Sequence, residues 1–163
     1  SDEALSAVVF WTMGSLTRTT WDKLAIVAAA LALVWPIFVR QAWALTALRL
    51  GEQKAASLGV RVQSLRLTTI LLVSLLASVS VAFVGTIGFV GLVGPHIARM
   101  LIGEDQRFFL PASAIAGALL LSMASVLSRS LLPGVILPIG VVTAVAGLPF
   151  FFVLILSRRS RSW

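Results

Sequence analysis

Gly85-Thr86-Ile87-Gly88-Phe89-Val90-Gly91-Leu92-Val93-Gly94-Pro95 lies inside an uncharged run that extends from Leu67 to Ala98. A membrane-crossing helix needs about 20 apolar residues, with a range of roughly 17–25, so the run is too long for one straight helix. Four glycines and a proline in so short a stretch punctuate a helix. The run therefore divides at Gly85 into a span of about 67–84 and a second, shorter one of about 88–102.

The rest of the chain has the same texture. Leu24 to Val39 is uncharged between Lys23 and Arg40, whose long side chains can reach the interface, and makes a short span. Phe108 to Ser128 is uncharged throughout and long enough for a full span. Ser130 to Ser157 is also uncharged but is interrupted by Leu132-Pro133-Gly134 and Leu137-Pro138-Ile139-Gly140. This predicts a broken piece near 130–138 and a span of about 139–156. The uncharged stretch from Ala4 to Thr17 is too short to cross and reads as the tail of an earlier helix or as an interfacial helix. The expected fold is all-α: a polytopic transmembrane bundle of about five spans.

Composition agrees. Of 163 residues, 59% are hydrophobic and 12% charged, against roughly 45–50% and 25% in a soluble domain. Mean hydropathy is +1.03. A globule this small has too little interior for so much apolar surface, and a disordered chain needs the opposite composition. The runs do not alternate as barrel strands do. The net charge of +7 would suggest nucleic acid in a soluble protein. Here the basic residues punctuate the spans and suggest topology and anionic lipid instead, with no nucleic-acid partner. Without cysteine there is no disulfide or thiolate site.

With five spans, one side receives Arg18, Lys23 and Arg129. The other receives Arg40, Arg49, Lys54, Arg61, Arg66, Arg99, Arg107, Arg158, Arg159 and Arg161. The positive-inside rule puts the second set, and with it the C-terminus, in the cytoplasm.

The cytoplasmic loop, 41–66, is long for a connector and is expected to carry structure. Glu52 to Leu58 is helix-forming sequence, preceded by Gly51 and followed by Gly59 at a C-cap position. Gly51, Glu52, Gln53, Ala55, Leu58, Gly59 and Arg61 form the candidate surface. A small apolar face with a charged rim suits docking to a protein, and equally an amphipathic helix resting on lipid. The glycine run (Gly85, Gly88, Gly91, Gly94, with Pro95) reads either as a hinge or pathway wall, or as tight packing or a re-entrant turn. His96 has no carboxylate near it in sequence and reads as structural. Arg129 alone reads as a snorkelling anchor or half of an external ion pair. No paired carboxylates, no Ser-His-Asp set, no phosphate loop and no metal-ligand set appears. Uphill movement would have to be powered by another chain.

Several motifs together resemble the permease subunits of ABC importers for iron-siderophores, haem and cobalamin. They are Leu50-Gly51-Glu52 through Leu58-Gly59-Val60, then Val84-Gly85-Thr86-Ile87-Gly88-Phe89-Val90-Gly91-Leu92, Pro95-His96 and Leu110-Pro111. Leu137-Pro138-Ile139-Gly140-Val141-Val142-Thr143 through Gly147-Leu148-Pro149-Phe150-Phe151 follows. Their order and spacing match over nearly the whole chain. Such permeases have ten spans, and the resemblance is to their C-terminal half. That fits a first residue that is Ser rather than Met, and it makes 1–163 one C-terminal half-domain.

The resemblance implies a non-enzymatic permease of the bacterial inner membrane, carrying an iron chelate (siderophore or haem). It also implies a second permease chain as homodimer partner, and a periplasmic or lipid-anchored substrate-binding protein. ABC ATPase subunits would bind the ATP; no cofactor is expected on this chain. The Glu52–Leu58 helix would be a coupling helix seated in the ATPase. Arg129 would meet an acid of the binding protein, and the Gly85–Gly94 run would lead into the eighth span. Thr46 stands where the family often has Asn, Ser125 where it often has an acid, Ile136 where Glu is common, and Val93-Gly94 where a β-branched pair is usual. The rival reading is a small membrane scaffold or assembly protein that transports nothing.

Overall fold

A computed structural model describes residues 2–17, 19–130 and 138–159. The broken piece expected near 130–138, with Ile136, lies almost wholly outside them, as do Arg18 and Arg161. The described residues form seven helices and no strand: α1 (Asp2–Thr12), α2 (Trp21–Leu48), α3 (Glu52–Ser57), α4 (Val62–Val84), α5 (Val90–Ile102), α6 (Gln106–Ser130) and α7 (Ile139–Arg159). Three of them, α2, α4 and α6, are long and apolar enough to cross a membrane. Helix α5 and the apolar Ile139–Phe152 stretch of α7 are shorter. At 1.5 Å per residue α5 reaches only ~20 Å, short of a ~30 Å hydrocarbon layer. The non-helical 85–89 segment precedes it.

The exposed surface is large for a chain of this mass. A soluble protein of 17.3 kDa would expose about 7,800 Å²; this chain exposes 11347 Å². Large apolar side chains stand outward on the long helices, including Leu67, Ile70 and Leu71 on α4 and Ile115, Leu119 and Met123 on α6. Lipid makes such exposure favourable, and it also removes the hydrophobic drive for helices to associate. They pack instead through small residues that let backbones approach. Accordingly the buried positions include Ala42, Ala47, Ala98 and Ala124. Helices α5 and α6, the most closely packed pair, meet at Gly94 and Gly117. A β-carbon on Gly94 would stand 3.1 Å from the Gly117 nitrogen.

The expected loop at 41–66 is corrected. Residues 41–48 continue α2, and 62–66 open α4. Ala42-Trp43-Ala44-Leu45 holds no glycine or proline, and one charge at Arg40 does not stop a helix. The true connector is 49–61, with α3 inside it.

The helices gather into two ends. At one lie the C-termini of α2 and α5, the N-termini of α4 and α6, and α3. At the other lie the 13–16 segment, the 85–88 segment and the N-terminus of α7. Here three stretches of backbone cross: the amide of Ser15 donates to Val84 O at 2.9 Å and that of Ile139 to Gly14 O at 3.1 Å. The Thr86 hydroxyl donates to Thr12 O at 2.6 Å. Gly85 has φ +73°, and a β-carbon there would overlap the carbonyl oxygen of Trp11; one on Gly140 would overlap that of Met13. Only glycine fits both places.

Candidate functional site

The sequence-read surface on α3 is built locally. Gly51 (φ +105°) and Gly59 (φ +85°) bracket the helix in conformations that cost an L side chain energy. No neighbouring atom lies close enough to account for either glycine; the requirement is conformational. At the C-terminus the amide of Val60 donates to Ala55 O at 3.0 Å and that of Gly59 to Ala56 O at 2.9 Å. This pair of bonds is the Schellman ending that Gly59 makes possible. Ala55 is fully buried and seats the helix, while Leu58 is 52% exposed and faces out. Glu52, Gln53 and Arg61 are exposed. Glu52 also pairs with Arg66, tying α3 to the N-terminal part of α4.

The α5–α6 turn is fastened to the end of α2. Glu104 accepts Arg49 Nη2 on Oε2 at 2.6 Å and Arg99 Nε on Oε1 at 3.3 Å. Arg49 Nη1 also donates to the Glu104 carbonyl at 3.3 Å. The Arg49 hydrogen bond holds the Glu104 carboxyl below the usual range; partial desolvation opposes this, and the charges of Arg49 and Arg99 add to it. Asp105 caps α6, accepting the Arg107 amide at 3.0 Å. Thr46 accepts the Gln106 amide at 3.0 Å. The guanidinium of Arg99 also stands over the Phe109 ring, 5.8 Å from its centre. Sequence reading missed this set. Arg49 and Arg99 entered only as topology charges, and Thr46 only as a departure from a family pattern.

Other expected site residues lie elsewhere. Arg129 is exposed in the last turn of α6, about 35 Å from that helix's start by its length. Gly85 and Gly94 are backbone contacts, as tight packing requires, whereas Gly88 and Gly91 border open space. Between α5 and α7 runs a groove of about 450 Å³, lined by Phe89, Pro95, His96, Arg99 and Phe150 among others. His96 meets the Phe150 ring edge-on at 5.4 Å. Phe89 starts α5 with φ +66°, the one non-glycine among the described residues in that region. A β-carbon at Gly147 would lie 2.5 Å from its ring, so that glycine leaves room for it.

Comparison with known proteins fits this architecture. The FecCD transport family matches residues 1–157. A Methanocaldococcus jannaschii protein named as an ABC transporter permease is 44% identical over 98% of the chain and 46% of its own length. The hemin transport system permease protein HmuU of Yersinia pestis is 39% identical over 98% of the chain and 48% of its own. A solved inward-facing ABC transporter, described as of the metal-chelate type, superposes with a TM-score of 0.88 at 36% identity. That match covers 96% of this chain and 52% of the other. The chain thus spans about half the length of the relatives it matches.

Proposed function

The chain belongs to the FecCD transport family, and from that premise we propose that it forms the C-terminal half of a permease subunit in an ATP-driven importer of iron chelates. The observation that carries the proposal is the α3 platform: a short helix held between two positive-φ glycines, seated by Ala55 and presenting Glu52, Gln53 and Leu58 outward. Such a platform offers a partner an apolar and charged surface to press on. HmuU is named for hemin and the solved neighbour for metal chelates, which supports a siderophore or haem as cargo.

In this reading the end carrying α3, Arg49, Arg66, Arg99 and Arg107 faces the cytoplasm, and so does the C-terminus. ABC ATPases bind ATP and close beneath α3. A second permease chain completes the pathway, and a binding protein docks at the Arg129 end. Closure moves α3, and the bundle converts that movement into opening on one side of the inner membrane. Membership of a transport family argues against a scaffold that carries nothing.

The test is Glu52→Lys combined with Leu58→Asp in the full-length permease, reconstituted with its ATPase. Hydrolysis should persist while chelate uptake collapses. Uptake at the unaltered level would refute the role of α3.

A further inference from the structure

The α3 platform rests on α2 and α4. Two residues before Gly51 stands Arg49, and its guanidinium holds Glu104 by a 2.6 Å ion pair and by a 3.3 Å hydrogen bond to the carbonyl. Glu104 sits in the turn between α5 and α6. Its second carboxylate oxygen takes Arg99 from the last turn of α5. Thr46, one turn before Arg49, accepts the first amide of α6. One short turn is therefore gripped from α2 at a side chain and at two backbone sites. Apolar helix contacts in lipid are non-directional and can slide. Charge-assisted arginine contacts fix both distance and direction.

We propose that Arg49 and Glu104 are the link through which movement of the α3 platform enters the α5–α6 pair. The platform, the end of α2 and the α5–α6 turn then travel as one body. Glu104 is a positioning residue in this scheme and touches no cargo. The inference rests on the transport reading given above.

The 163 residues contain no cysteine, so a tether can be introduced here without competing thiols from them. In the full-length permease with its ATPase in liposomes, Arg49→Cys and Glu104→Cys are combined and joined by a short bis-methanethiosulfonate bridge. Uptake per ATP hydrolysed is measured with a ferric siderophore and with hemin. Without the bridge the ratio should fall by roughly two- to tenfold; with it the ratio should return. A ratio unchanged without the bridge overturns the inference, and so does one the bridge fails to restore. If the paired variant does not assemble with the ATPase, Glu104→Gln gives the same readout: a lowered ratio supports the link and an unaltered one overturns it. An unaltered transporter that hydrolyses ATP yet takes up neither probe overturns the transport reading, and the inference falls with it.

Discussion

The side-chain oxygen of Thr46 accepts the backbone N–H of Gln106 at 3.0 Å, across 60 positions of sequence. The first amides of a helix have no partner within it. Here α2 supplies one to α6, and Asp105 supplies another. The Thr46 proton goes back to Ala42 O at 2.9 Å, with Asp105 Oδ1 a longer alternative at 3.4 Å.

Thr46→Val keeps the shape and removes the acceptor. It should cost about 1 kcal/mol and speed hydrogen exchange at the Gln106 amide. Thr46→Asn, which offers a carbonyl oxygen in its place, should protect that amide. Exchange as slow in the valine variant as in the unaltered protein would refute the cap.

Acid should release the Glu104 contacts late. Arg49 from α2 and Arg99 from α5 face this carboxylate, with Asp105 and Arg107 beside it. The arginines keep their charge throughout. Because the folded carboxyl titrates below its ordinary value of 4.5, folding favours the ionised form. Its stabilisation is complete above that ordinary value and disappears as pH falls through the lower, folded one. In detergent melts, the advantage over Glu104→Gln should hold from neutrality to about pH 5 and shrink only below it. An advantage already gone at about pH 6 would contradict the assignment.

Gly85 and Gly88 should respond differently to the same change. Gly85→Ala adds a β-carbon into the Trp11 carbonyl and forces alanine to φ +73°. The cost should be about 2–4 kcal/mol. Gly88 has open space and no positive φ, so Gly88→Ala should stay within about 0.5 kcal/mol. Equal melting midpoints for the two would refute the packing account.

Arg129→Glu probes the far end. If this end receives the binding protein, affinity should fall by about tenfold with no change in ATPase assembly. Binding to the reconstituted transporter measures it, and unchanged affinity would remove Arg129 from the docking surface.

Local signals were legible in the sequence. Gly59 ends α3 because the need for a left-handed residue is settled within a single turn of chain. The break after Val84 was visible for the same reason, although helix resumes at Val90 and runs through Gly91, Gly94 and Pro95, and the uncharged runs marked the apolar helices. What sequence could not show was which distant segments meet. Nothing in 85–88 announces residues 12–14 and 139–140 as neighbours. Arg49 and Glu104 are 55 positions apart, and each alone looks like an ordinary interfacial charge. The 41–66 loop was overestimated because charge was taken as a boundary, although α-helices continue freely past the lipid.

The crossing of residues 12–15, 84–86 and 139–140 has one more consequence. Most helix contacts can yield because side chains swap rotamers. This one is largely peptide against peptide, held by Ser15–Val84 and Ile139–Gly14 bonds, with almost nothing soft between. If the proposed push reaches the bundle from the opposite end, this crossing would act as a fulcrum rather than a cushion.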